Sequence, residues 1–158
     1  MTTMSDRKPP MPPMPMTDTE RATLLCVAGH MIPASAEYRV PGADDPLIFA
    51  DILRSIDRDR ETLRKALQVV DEIAGGSIAA LSREEQANRL AAFRAAHEDL
   101  AGVIESAVAR CYYRDDRVMA SIGMEPRPAF PKGYQVERGD LSLLDPVRAR
   151  GRMYRDVG

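Results

Sequence analysis

Apolar residues recur at helical spacing along most of this chain, and this periodicity constrains the fold more than any other feature. The clearest stripe stops at Gly75-Gly76, a pair that suits a helix end, and it consists of Leu63, Ala66, Leu67, Val70 and Ile73. A second stripe follows Ser82 and Glu85, which are spaced as a capping box, and continues to Cys111. We therefore predict a helix ending near Gly75 and one long helix from Ser82 to Cys111.

Three further segments have shorter helical patterns. One starts near Asp18, whose carboxylate can cap it, and another begins at Pro46 after a possible cap from Asp44 or Asp45. A last short helix is expected over residues 116–122. Because no segment alternates convincingly between polar and apolar residues, we predict an all-α fold, a bundle of four to five helices with an extended irregular C-terminal arm.

Both ends of the chain lack this periodicity. Residues 1–16 are rich in proline and methionine, which predicts a disordered or polyproline-like leader. Residues 17–123 contain the helical bundle. Residues 124–158 combine proline, glycine and paired charges with large side chains, so we interpret them as an arm whose surroundings are partly another protein.

Charge and hydropathy exclude several function classes. The formal net charge is −2, and no basic surface pattern with interleaved aromatic residues appears, so no nucleic-acid partner is predicted. The apolar runs are only a few residues long, which argues against direct membrane insertion. Proline rather than an apolar stretch follows Arg7-Lys8, so we expect a cytoplasmic protein.

The side chains that usually carry chemistry are scarce. Cys26 and His30 are four residues apart and share a helix face, but no second pair completes a metal site. Cys26 and Cys111 lie on apolar helix faces and are expected to be free thiols. His97 occupies a stripe position and is predicted to be packed, or hydrogen-bonded to Glu98 or Glu105. We assign no catalytic, cofactor-binding or metal-binding residue to this chain.

The residues alone leave two function classes open. One is a self-sufficient small helical enzyme that acts on a carbohydrate or a small polar ligand, with His97, Glu105 or Asp115 as acid–base. The other is a helical adaptor or homo-oligomer that merely shares the bundle shape.

Four segments, in order, resemble the gluconate 2-dehydrogenase subunit 3 family: LLCVAGHMIPA, VPGADDPLIFADIL, ARCYYRDDRVMASIG and RPAFPKGY. The likeness covers most of residues 20 to 135. Its marks are Ile32-Pro33 at the end of the first helix, the turn Pro41-Gly42-Ala43, the pair Tyr112-Tyr113, and Pro131-Lys132-Gly133-Tyr134.

This resemblance implies a non-catalytic small subunit that binds a large flavoprotein of the glucose–methanol–choline oxidoreductase type. The partner would hold FAD and oxidise a sugar, glycoside, sugar acid or other alcohol, and the small subunit would help it fold, stay soluble or become active. Several members of the family carry a twin-arginine signal. This sequence departs from that pattern, which favours a cytoplasmic complex.

The predicted partner-binding residues lie in the turn, on the second helix, at the end of the long helix and in the arm. Large apolar or aromatic side chains and arginines are the usual anchors of such interfaces. The predicted residues are Pro41, Gly42, Phe49, Tyr113, Phe130, Pro131, Lys132, Gly133, Tyr134, Leu143, Leu144, Arg148 and Tyr154.

Overall fold

The computed structural model describes residues 15–56, 59–127, 133 and 139–151, and throughout these residues the regular secondary structure is helical. The chain divides into two compact units, Met1–Pro126 and Arg127–Gly158. The predicted all-α bundle is confirmed in the first unit. None of the helices in the described ranges is long and apolar enough to cross a membrane.

Six helices form the first unit, as far as it is described. They are α1 (Asp18–Met31), α2 (Pro46–Arg54), α3 (Arg60–Ala74), α4 (Arg83–Ala96), α5 (Glu98–Tyr112) and α6 (Asp116–Ser121), with a 3₁₀ turn at Ile78–Ala80 between α3 and α4. The second unit contains a 3₁₀ turn, Leu141–Leu144, followed by the short helix α7 (Asp145–Arg148).

Helix α3 lies at the centre of the bundle, where α1, α4, α5 and the 3₁₀ turn all pack against it. Its predicted stripe is buried, with Leu63, Leu67 and Val70 each 1% exposed. It ends at Gly75, whose φ of 75° is the left-handed conformation that glycine adopts without steric cost.

Short sequence motifs predict two of the helix caps, but the predicted cap of α1 needs a correction. Asp45 caps α2 ahead of Pro46, and Ser82 with Glu85 forms the predicted capping box of α4. The predicted cap of α1 at Asp18 is wrong, because Thr17 is the cap. The Thr17 hydroxyl accepts from the Glu20 backbone N–H at 3.2 Å, and the Glu20 carboxylate accepts from the Thr17 N–H at 2.7 Å.

The predicted long helix from Ser82 to Cys111 is also wrong, because His97 divides it into α4 and α5. The His97 backbone leaves the helical region, with φ −137° and ψ 57°. Its N–H still donates to the Phe93 carbonyl and its carbonyl accepts from the Ala101 N–H, each at 2.9 Å, so one residue ends α4 and starts α5. Glu98 and Asp99 then fall in the first turn of α5, where the helix dipole favours negative charge.

The His97 side chain is exposed, with its ring centroid 5.9 Å from that of Phe93. Among the described residues, His97 bonds to neither of its predicted partners, Glu98 and Glu105, and Glu105 pairs with Arg94 on α4 at 3.1 Å. The prediction of a histidine packed within the helix stripe is therefore wrong. The helical period changes phase at the break and turns this position toward solvent.

One part-buried polar connection joins α1, α3 and the 3₁₀ turn. The hydroxyl of Thr23, which is fully buried, donates to the two carboxylate oxygens of Asp71 at 3.0 and 2.9 Å. Asp71 also accepts from the Ile78 backbone N–H at 2.9 Å. Buried polar groups need such partners, so Asp71 holds three segments together.

We expect Asp71→Ala to lower the free energy of unfolding by about 2 kcal/mol, because it leaves the Thr23 hydroxyl and the Ile78 N–H without their acceptor. Urea denaturation followed by circular dichroism measures the change. Glu72→Ala is the matched control, since Glu72 is the exposed neighbour and its carboxylate accepts from the exposed side chain of Gln68. Equal losses in the two variants would contradict the role of Asp71.

Candidate partner-binding surface

The segment between α1 and α2 forms a closed turn on the bundle surface. Ser35 and Val40 exchange two backbone hydrogen bonds of 3.1 Å, and the Ala43 N–H donates to the Ile32 carbonyl at 2.8 Å. Tyr38, at the tip, is 67% exposed. These bonds satisfy the backbone of an otherwise irregular segment.

A buried tyrosine of α5 fastens this turn to the bundle. The Tyr112 hydroxyl donates to the Pro41 carbonyl at 3.2 Å, and the Tyr112 side chain is 4% exposed. Burial raises the pKa of Tyr112 above its ordinary value. The neighbouring Tyr113 ring meets Tyr112 edge-on, with centroids 5.3 Å apart, and is 57% exposed. Two predicted surface residues, Pro41 and Tyr113, are therefore adjacent to the same buried tyrosine.

Gly42 has a packing role in the turn. A Cβ at this position would come within 2.9 Å of the Ala34 backbone nitrogen and would overlap the Asp44 carboxylate. A Cβ at Gly29 would also lie only 3.0 Å from an oxygen of Asp44. Asp44 therefore occupies space that both glycines leave free, and Gly42 is buried by its neighbours.

Two arginines tie α2 to the end of α5 and the start of α6. Arg117 binds both Asp45, at 2.8 Å, and Asp115, at 2.9 Å. Arg114 binds Asp51 at 2.6 Å and also donates to the Ser55 hydroxyl. These hydrogen bonds lower the pKa values of Asp45, Asp115 and Asp51, each mainly through its arginine.

Helix α2 presents a different residue to solvent from the one predicted. Phe49 is only partly exposed and packs against the core, whereas Leu47 is 68% exposed. The three consecutive apolar residues Leu47, Ile48 and Phe49 cannot all face inward on one helix. Three apolar residues in a row indicate that one of them faces solvent, but only the packing decides that this residue is Leu47.

The described part of the C-terminal arm exposes four large aliphatic side chains within seven residues. Leu143 is the most exposed, at 76%, and the set comprises Leu141, Leu143, Leu144 and Val147. Asp140 caps the 3₁₀ turn by accepting from the Ser142 N–H at 3.0 Å. Arg148 pairs with Asp145 at 3.0 Å. We call residues 140–148 the helical hook.

Of the other arm residues predicted to bind a partner, the structure describes only Gly133. Gly133 adopts a left-handed φ of 68°, and its carbonyl accepts from Arg127 at 2.8 Å. The remaining predicted anchors lie outside the described residues, namely Phe130, Pro131, Lys132, Tyr134 and Tyr154.

The residues considered for chemistry have structural partners. His30 donates through Nε2 to the Gln86 side-chain oxygen at 2.8 Å, since the Gln86 nitrogen already donates to backbone carbonyls. Asp115 caps α6 and binds Arg117. Both cysteines are free, and burial raises the pKa of each thiol. Within the described ranges, no group of three His, Cys, Asp or Glu residues is placed to hold a metal ion.

No protein-family model, curated protein or solved structure matches this chain. The resemblance to the gluconate 2-dehydrogenase subunit 3 family therefore stays a hypothesis from the sequence.

We expect Tyr112→Phe to lower the free energy of unfolding by about 1 kcal/mol, because the Pro41 carbonyl loses its donor. Chemical denaturation measures the effect. Tyr113→Phe is the matched control, since Tyr113 is adjacent and its side chain is more than half exposed. A Tyr112→Phe variant as stable as Tyr113→Phe would show that this hydrogen bond does not hold the turn.

The arginine bridges predict acid sensitivity. Because the folded pKa values of Asp45 and Asp115 are lowered, their contribution to stability is present above the unfolded pKa of about 4 and is lost as the pH falls through the folded values. Arg117→Met should lose less stability than the wild type between about pH 6 and about pH 3.

Urea denaturation at the two pH values measures this difference. Arg110→Met serves as the control, because Arg110 reaches Asp59 at 3.4 Å through exposed side chains. Equal acid sensitivity in the wild type and Arg117→Met would contradict the assignment.

Proposed function

We propose that this chain is a non-catalytic accessory subunit that binds and stabilises a large FAD-dependent dehydrogenase. The partner oxidises a sugar, glycoside, sugar acid or other alcohol, and FAD belongs to the partner. The resemblance of the sequence to the gluconate 2-dehydrogenase subunit 3 family suggests the class of partner. The exposed helical hook is the observation that supports a docking role.

The composition of the hook is unusual for a solvent-exposed segment. Scattered exposed apolar residues are common on soluble proteins, but clustered ones mark interaction sites. Leu141, Leu143, Leu144 and Val147 are all clearly exposed. Full burial of one such side chain contributes on the order of 1.5–3 kcal/mol, so covering the cluster would favour association.

The hook is also ordered in a way that favours binding. Asp140 fixes the start of its 3₁₀ turn, and Asp145 lies in the first turn of α7 opposite Arg148. A segment that already holds its bound shape loses less conformational entropy on association. The Asp145–Arg148 pair is exposed and contributes little by itself, so Arg148 is available to a carboxylate of the partner.

The bundle contributes a second, smaller surface in this proposal. Tyr113 and Pro41 lie at the fastened turn, with Leu47 on the adjoining helix α2. Phe130, Tyr134 and Tyr154 stay predicted anchors of the arm. We propose a cytoplasmic complex, in which both cysteines stay free thiols.

Purification of the tagged full-length chain from its source organism tests the proposal. We expect a large chain to co-purify, with a flavin absorbance spectrum and dye-linked alcohol oxidation that the small chain alone does not have. Mass spectrometry identifies the large chain. Recovery of the small chain without a flavoprotein would contradict the proposal, as would turnover by the small chain alone.

Leu143→Asp should reduce co-purification by more than tenfold while leaving helicity unchanged, because the side chain is exposed and packs on no core. Ala149→Asp is the matched control, since it adds the same charge at an exposed position of the same segment without removing a large side chain. Circular dichroism and flavin recovery are measured for both variants. Undiminished recovery with Leu143→Asp would exclude the hook, and Leu47→Asp then tests the bundle surface.

A further inference from the structure

The bend between α4 and α5 has no local cause in the sequence. Only one residue, His97, separates the two helices. Residues 83–101 contain neither glycine nor proline, the residues that most disfavour a helix. Phe93, Leu100 and Ile104 are spaced to share one face of a continuous helix through the bend. Tertiary packing, rather than residue type, therefore produces the bend.

A continuous helix would satisfy more backbone groups at this point. It would pair the N–H groups of residues 98–100 with the carbonyls of residues 94–96, four positions earlier. In the bent chain, His97 precedes α5 but its side chain makes no capping hydrogen bond. Residues 94–99 are all exposed, so the bend itself lies outside the core.

Contacts with the rest of the bundle hold the bend. Helix α4 packs on α3, and α5 packs on α3 and α2. Phe93 of α4 is 3% exposed and Ile104 of α5 is 1% exposed. The side chains of Arg94 and Glu105 pair at 3.1 Å, whereas a straight helix would separate their backbones by about 16 Å along its axis. Straightening the bend would therefore remove α5 from α3 of the same chain.

We propose that His97 is a hinge for domain swapping, at which α4 and α5 straighten into one helix while two copies of this chain exchange α5 and α6. Each α5 then packs on α2 and α3 of the other copy through the same residues as before. The second copy is the partner because it carries the surface that α5 already fits. The exchange restores the contacts of the bundle between chains, and its main cost is the entropy of association.

Protein concentration shifts the balance between the two forms. Two chains combine in the swapped dimer, so its share rises with concentration by mass action. Because α5 has to leave the core before it can be exchanged, we expect the two forms to interconvert slowly enough to be separated. This inference is independent of the proposed flavoprotein partner.

Refolding of the full-length chain from urea, at two concentrations about a hundredfold apart, tests for the dimer. Size-exclusion chromatography with light scattering measures both forms, and we expect more dimer at the higher concentration. His97→Ala should raise the dimerisation constant by about fivefold or more, because alanine favours the continuous helix and two hinges change in each dimer. His97→Gly should lower it, because glycine disfavours that helix.

Asn88→Ala is the matched control for the hinge. It gives a comparable gain in helix propensity at an exposed position within α4, away from the bend, and should leave the dimerisation constant unchanged. Circular dichroism of the separated monomers checks that all variants are folded.

A cross-link between α4 and α5 distinguishes a swapped dimer from a surface contact. Arg94→Lys lets a carbodiimide couple the introduced amine to the carboxylate of Glu105, its ion-pair partner. This variant is refolded from an equal mixture of isotopically labelled and unlabelled chains. Mass spectrometry should find coupled peptide pairs with one labelled and one unlabelled member in the dimer fraction, and none in the monomer fraction.

Chains that stay monomeric at both concentrations, with and without His97→Ala, would overturn the inference. A dimer whose coupled peptides always come from a single chain would also overturn it, because the bend would then be intact in that dimer. Equal gains in His97→Ala and Asn88→Ala would attribute the effect to general stabilisation of α4, with the same consequence.

Discussion

Burial of the apolar stripe on α3 is the constraint on which the rest of the bundle depends. Helices α1, α4 and α5 all pack against this one helix, so its orientation determines theirs. Leu63, Leu67 and Val70 provide the apolar surface, and each is almost fully buried. Hydrophobic burial is not directional, whereas hydrogen bonds are. The carboxylate of Asp71, next to Val70, binds the Thr23 hydroxyl on α1 and the Ile78 backbone N–H after α3, and these bonds fix how the segments pack.

The turn between α1 and α2 owes its shape to polar contacts with distant residues. It has no sheet or helix ladder, so its backbone groups bond to Tyr112, to Ile32 and across the loop. Arg114 and Arg117, which follow α5 in the sequence, hold α2 in place through ion pairs with Asp51 and Asp45. These contacts fix the backbone of an irregular segment beneath the exposed side chain of Tyr38.

The two units place their apolar side chains in opposite environments. The first unit buries most of its large aliphatic residues in a core around α3, although a few, such as Leu47, are exposed. The helical hook of the second unit leaves Leu141, Leu143, Leu144 and Val147 exposed. Exposing clustered apolar surface to water is unfavourable, and such clusters often mark interaction sites. This is why we propose that a partner docks on the hook.

The sequence by itself determined the all-α class, the stripe of α3 and the capping box at Ser82–Glu85, and it reduced the cap of α2 to Asp44 or Asp45. These features depend on residues within one or two helical turns, so spacing and residue type suffice to predict them. Only the tertiary structure decided that the long stripe breaks at His97 and that Leu47, rather than Phe49, faces solvent. It also decided the bond from Tyr112 to Pro41, whose partners are 71 residues apart. Such contacts arise from packing between distant segments, which local periodicity does not specify.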